Sequence, residues 1–60
     1  MSLIKREEYY VSYFDTEDRY YYSPIFTEKA KAEFFLKSVL SLGACKAEIK
    51  KMEYFYETGQ

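Results

Sequence analysis

The aromatic residues of this chain arrive in doublets and triplets, and that arrangement constrains its fold more than any other feature. Eight Tyr and five Phe stand in 60 residues. All but Phe26 fall in the runs Tyr9-Tyr10, Tyr13-Phe14, Tyr20-Tyr21-Tyr22, Phe34-Phe35 and Tyr54-Phe55-Tyr56. Successive residues of a β-strand point to opposite faces, so a doubled aromatic places rings on both sides of a sheet. A chain this short builds a core on one side only. Rings on the other side stay in water or meet something else, which implies a binding or self-associating module rather than an enzyme.

Residues 1–60 make one domain. A domain of that size buries only about 60% of its unfolded surface and needs staples or a partner to be robust. Cys45 is the single cysteine and there is no His, so neither an internal disulfide nor a metal cluster nor a cofactor is expected. An unpaired cysteine and the lack of a signal-peptide pattern point to the reducing cytoplasm. No run approaches the roughly 20 apolar residues of a membrane helix. Oligomerisation, in a homodimer, is then the expected source of extra stability.

Nine basic and ten acidic residues leave a net charge of −1. That balance disfavours a protein held to nucleic acid by charge alone. Lys5-Arg6 against Glu7-Glu8, the acidic cluster Asp15, Glu17 and Asp18, and Lys29, Lys31 and Lys37 read as solvated faces.

Glu7 to Phe14 reads as a strand, Asp15 to Asp18 as a four-residue polar turn, and Arg19 to Ser23 as the returning strand, ended by Pro24. Setting Phe14 opposite Arg19 gives one face Tyr9, Val11, Tyr13, Tyr20 and Tyr22. The other face receives Tyr10, Ser12, Phe14, Arg19, Tyr21 and Ser23. Thr27 is the expected N-cap of a helix from Glu28 to about Leu42, stopped at Gly43. Ala32, Phe35, Leu36, Val39, Leu40 and Leu42 form its core stripe. Phe34 falls almost opposite that stripe, as an exposed ring or a contact for a partner.

Cys45, Ala47 and Ile49 alternate with Lys46, Glu48 and Lys50, and then the phase slips to Met52, Tyr54 and Tyr56. A bulge near Lys50-Lys51 would restore the alternation. The strand from Cys45 to Glu57 outruns the first two, so its distal half is expected to lack a partner within the chain and to be covered by a second copy. A second helix bearing Cys45, Ile49, Met52 and Tyr56 is the competing reading. Met1-Ser2 and Thr58-Gly59-Gln60 read as loose ends. The fold class is α+β: a small β-β-α-β domain with one helix on one face of a three-stranded antiparallel sheet.

No enzymatic constellation stands out. There is no imidazole base, Cys45 reads as a small buried residue, and Gly43 and Gly59 make no phosphate-cradling loop. The helix-free sheet face carries the information. Tyr10, Phe14, Arg19 and Tyr21 are its expected contact residues for a protein partner, with Phe34 adding a helical contact. Met52, Tyr54, Phe55 and Tyr56 are the expected dimer contacts. If the last strand lies beside the first, Lys46 and Lys50 join the face. The alternative is a stacking platform for single-stranded nucleic acid, although the Gly-aromatic signature of the RNA-recognition fold is missing.

The order of features resembles small proteins encoded by bacteriophages and related mobile elements. The shared run is Tyr9-x-Val11-x-Tyr13, an acidic turn, Tyr22-Ser23-Pro24, Phe26-Thr27 opening the helix, Phe35 within it, Gly43-Ala44, and an alternating strand through Ile49. The resemblance implies a compact binder that disables a host protein in the host cell cytoplasm. Such proteins include inhibitors of the Hachiman anti-phage system, and several act as homodimers.

Overall fold

The computed structural model describes residues 2–59. Four elements follow in the order β1 (Ser2–Phe14), β2 (Tyr20–Tyr22), α1 (Lys29–Ser41) and β3 (Cys45–Thr58). The strands form one antiparallel sheet in the order β2-β1-β3, and α1 packs against β1 and β3. This is the expected α+β architecture, and β3 is a strand rather than a second helix. No helix among the described residues is long and apolar enough to cross a membrane.

The first hairpin is closed by Asp15. Its backbone N–H donates to the Arg19 carbonyl at 3.0 Å. Its Oδ1 accepts from the backbone N–H groups of Glu17 and Arg19 at 2.8 and 2.9 Å. Asp18 takes φ +67°, a left-handed conformation that Asp tolerates better than most residues. Because Asp15 and Arg19 close the loop, the first ladder pair is Phe14 with Tyr20, followed by Tyr13 with Tyr21 and Ser12 with Tyr22. The expected pairing of Phe14 with Arg19 is therefore off by one residue. A one-residue slip moves every side chain of the returning strand to the other face.

The ladder between β1 and β3 is also longer than expected. β1 starts at Ser2, not Glu7, and pairs with β3 as far as Ser2 opposite Thr58. The distal half of β3 thus has a partner within the chain, and Ser2 and Thr58 belong to the ladder rather than to loose ends. Met1 and Gln60 lie outside the described residues. The irregularity in β3 also sits elsewhere. Pairing is continuous from Glu48 to Thr58 and shifts between Ser12 and Phe14, opposite Cys45. Lys46 adopts φ +53° in this stretch.

With no bulge at Lys50-Lys51, Met52, Tyr54 and Tyr56 lie on the face opposite to Ile49. The physical reason is the reach of α1. Thirteen helical residues span about 20 Å, whereas β1 runs for about 44 Å. Past Ile49 the helix side of the sheet is open to water, and charges occupy the stretch next to the body, with the exposed Leu3 and Phe55 beyond them. Lys5, Glu7, Lys51 and Glu53 fill that stretch, with Lys51 Nζ 3.0 Å from Glu53 Oε2 and 3.3 Å from Glu7 Oε2. Lys5 Nζ lies 3.2 Å from Glu7 and 3.5 Å from Glu53.

The core is thin. Val11, Ala32 and Val39 are the buried apolar residues among those described. Around them, Phe35 contacts Tyr13 and Phe26 at centroid distances of 6.0 and 5.8 Å. Leu36 is half-buried, while Leu40 and Leu42, expected in the core stripe, are 48% and 84% exposed. Glu28 rather than Thr27 is the N-cap, and its side chain makes no capping bond. The C-terminus is better closed. The amides of Gly43 and Ala44 donate to the carbonyls of Leu40 and Val39, a Schellman arrangement that needs the φ of +102° at Gly43.

Beyond β2, the Val11 amide donates to Ser23 Oγ at 2.8 Å, and Ser23 N–H returns a bond to the Val11 carbonyl. Phe26 then exchanges both backbone bonds with Tyr9. The result is an elongated molecule, 49 × 19 × 13 Å with a radius of gyration of 14.7 Å, against about 10 Å for a compact chain of this length. A helix-covered body ends in a two-stranded arm made of residues 2–8 and 52–58.

Candidate functional site: the helix-free face

Even-numbered residues of β1 share the helix-free face with Tyr20 and Tyr22 of β2 and with the even-numbered positions of β3 from Glu48 onward. The rings form a connected row. Phe14 meets Tyr20 edge-on at 5.3 Å, Tyr20 meets Tyr22 at 6.1 Å, and Tyr22 meets Tyr10 at 6.4 Å. Tyr20 and Tyr22 remain 54% and 69% exposed despite these contacts. Tyr10, Tyr20, Tyr22, Pro24, Ile25 and Met52 line an open depression of about 480 Å³. Along the arm the row continues through Met52, Tyr54 and Tyr56, flanked by Ile4. The Tyr54 hydroxyl donates to Met52 Sδ at 3.4 Å.

Charges punctuate the row without dominating it. Lys46 Nζ stands 5.3 Å above the Phe14 ring, a cation–π geometry. Lys50 pairs with Glu48 at 3.2 Å and Arg6 with Glu8 at 3.5 Å. The face is thus a long aromatic strip with locally balanced charge.

The structure keeps Tyr10 and Phe14 on this face and places Lys46 and Lys50 there as expected. It moves two other expected contact residues away. Tyr21 lies on the helix side, stacked on Tyr13 at 5.7 Å with 23° between the ring planes. Arg19 is a turn residue, its Nε 2.9 Å from Asp15 Oδ2 and its Nη2 2.8 Å from Glu17 Oε1. The backbone N–H of Arg19 first, then that of Glu17 and the Arg19 guanidinium, hold the Asp15 carboxyl below its ordinary range. Tyr20 and Tyr22 take the places expected for Arg19 and Tyr21. The signal that finds them is the Asp15-to-Arg19 spacing, which lets one carboxylate close a five-residue loop.

Phe34 is 73% exposed on α1, beside a shallow hollow with Phe26, Ala30, Lys31 and Phe35, and it is separate from the sheet face. Among the expected dimer contacts, Met52, Tyr54 and Tyr56 lie on the helix-free face. Phe55 lies on the helix side, beyond the end of α1, and is 64% exposed. Cys45 is exposed rather than buried. Among the described residues no cluster of His, Cys, Asp or Glu is arranged to hold a metal ion. Compared with known protein families, curated proteins and solved structures, the chain has no match.

Proposed function

We propose that this chain is a non-enzymatic protein-binding module, homodimeric, whose helix-free face occupies a surface on another protein. The observation that carries the reading is the row Phe14-Tyr20-Tyr22-Tyr10, which continues into Met52, Tyr54 and Tyr56. Tyr gives large contact area at low side-chain entropy cost and is enriched among residues that dominate interfaces. A connected row of exposed rings such as Tyr20 and Tyr22 is the kind of surface that marks an interaction site. In its specific form, the target is a host defence protein and the module is its inhibitor, as the resemblance to small phage proteins implies.

The test compares wild type with Tyr20→Ser/Tyr22→Ser in a bacterium carrying the Hachiman system. Wild type is expected to restore phage plaque formation and the double variant to lose that effect at equal soluble expression. Equal restoration by both would remove the aromatic face from the function. No restoration by wild type would remove the defence target.

A second reading rests on Lys46 above Phe14: the face as a stacking platform for single-stranded nucleic acid. The pairing of Lys50 with Glu48 and of Arg6 with Glu8 weighs against it. Fluorescence anisotropy with short labelled single strands decides; the absence of salt-sensitive binding at low salt removes this reading.

A further inference from the structure

The outer edge of β3 is 14 residues long, and no strand pairs with it among the described residues. Long open edges invite further strands, and proteins usually shorten, charge or cover them. Which groups this edge offers follows from the ladder. Tyr9 and Val11 direct their backbone N–H and C=O toward Phe26 and Ser23. In an antiparallel ladder these directions alternate. The even-numbered residues of β1 therefore bond to β3, and their partners Glu48, Lys50, Met52 and Tyr54 bond back. The odd-numbered residues Ile49, Lys51, Glu53 and Phe55 present their amides and carbonyls outward.

We propose that this edge pairs antiparallel with the same edge of a second copy, about a two-fold axis at Met52, giving one continuous six-stranded sheet. This deepens the homodimer part of the reading above and gives it a register. The axis at Met52 sets Lys51 opposite the partner's Glu53, Ile49 opposite the partner's Phe55, and Lys50 opposite the partner's Tyr54. The first pair is complementary in charge and the second in apolar character, and the third sets a lysine beside an aromatic ring. Moving the axis one residue either way sets Lys51 or Glu53 against its own copy, and like charges directly opposite are destabilising. Lysine on an edge normally discourages pairing; in this register Lys51 meets a carboxylate.

The same register accounts for the molecule's length. The arm of each protomer lies along the body of the other, which braces a two-stranded ribbon that alone is marginal in water. The Lys5-Glu7-Lys51-Glu53 cluster of each copy then meets its counterpart across the axis. Both helices fall on one side of the joined sheet, so the two aromatic strips lie together on the other side and stay open to a target.

Light scattering across a dilution series gives the mass, and cysteine pairing gives the register. Residue 52 faces its own copy at a non-hydrogen-bonded position, where Cα atoms lie about 4.5 Å apart, within the disulfide range of about 4.4–6.8 Å. Cys45→Ser/Met52→Cys treated with oxidised glutathione is expected to give a covalent dimer. Cys45→Ser/Lys50→Cys is not, since copies of residue 50 would stand about 13 Å apart. A dimer that cross-links through position 50, or fails to cross-link through position 52, overturns the edge register and leaves dimerisation standing. A monomer of 7.3 kDa throughout the series overturns the dimer and leaves the target-binding face to its own test.

Discussion

Tyr13 lies directly across the ladder from Tyr21, and the two rings stack at 5.7 Å on the helix side of the sheet. That one pairing sends Tyr20 and Tyr22 to the opposite face and divides the tyrosine triplet between fold and surface. Tyr21→Ala should lower stability by about 1–2 kcal/mol, through the lost stack and the partial burial of a ring that is 41% exposed. Tyr22→Ala, 69% exposed but in ring contact with Tyr10 and Tyr20, should lower it by less, about 0.5 kcal/mol. Urea denaturation of both variants checks this. Equal losses would contradict the division.

Asp15 closes the hairpin through one carboxylate that accepts from two backbone amides and the Arg19 guanidinium. Its pKa is lowered in the fold, so the stability it contributes is present above its unfolded value. That contribution is lost as pH falls through the lower folded value, beginning at about pH 4. Asp15→Asn keeps one acceptor oxygen but no charge. It should lower the melting temperature at neutral pH and flatten the acid limb of the stability curve. An unchanged acid limb would assign that limb to other carboxylates.

The arm carries its own pH dependence. Glu7 is lowered chiefly by its hydrogen bond with Lys5, and Glu53 chiefly by that with Lys51. Lys5 and Lys51 are raised in return. The carboxylates contribute above their unfolded values and lose that contribution as pH falls through the folded ones. The lysines contribute below about pH 10.4 and lose it as pH rises through their raised folded values. The protection factors of the Ile4, Arg6, Glu8, Met52, Tyr54 and Tyr56 amides, referred to the intrinsic exchange rate at each pH, should therefore fall at acid pH before those of Tyr10 and Lys50. Added salt should do the same at neutral pH, because the cluster is exposed. A uniform fall along β1 would show that arm and body open together.

Much of this fold is written in local pattern. The helix stripe at Ala32, Phe35 and Val39, the stop at Gly43 and the alternation from Ala47 to Ile49 each rest on contacts a few residues apart, and each is legible. The expected alternation breaks at Cys45, where the ladder shifts register. Two other features are not legible. The loop register depends on which residue Asp15 closes upon, and residue type alone does not separate a four-residue from a five-residue loop. The start of β1 is hidden because Ser2 to Glu8 alternates Leu3, Lys5 and Glu7 with Ile4, Arg6 and Glu8, leaving no apolar face. Its strand character comes from β3, which pairs with it over its whole length. The phase slip at Lys50-Met52 was visible, but its meaning depends on where the helix ends in space.

Gly43 tests the helix stop. A Cβ there would meet Thr16 Cγ2 at 3.5 Å, an ordinary contact, while φ is +102°. The cost of Gly43→Ala is therefore conformational rather than steric, about 1–2 kcal/mol. Thermal unfolding should show it, with the rate of unfolding raised and the helix content of the native state kept. A neutral result would mean that the backbone relaxes out of the left-handed region without losing the Val39 and Leu40 carbonyl bonds.

Phe55 separates stability within one chain from association between chains. In the single protomer it is 64% exposed, on the helix side of the arm, opposite Lys5 in the ladder. In the edge-paired dimer it lies beside the partner's Ile49, near the end of the partner's helix. Phe55→Asp removes an apolar ring from that contact twice, once at each end of the two-fold interface. It also places a carboxylate against an aliphatic side chain. The expected result is a dimer dissociation constant raised at least about tenfold, equivalent to about 1.4 kcal/mol, measured by sedimentation over a dilution series. Protomer stability should change by less than about 1 kcal/mol, because the ring is exposed there and only strand propensity is lost. Phe34→Asp is the matched control. It removes a ring that is 73% exposed from the outer side of α1, and it should leave the dissociation constant unchanged. Weakening by Phe34→Asp and not by Phe55→Asp would move the self-association surface from the sheet edge to the helix.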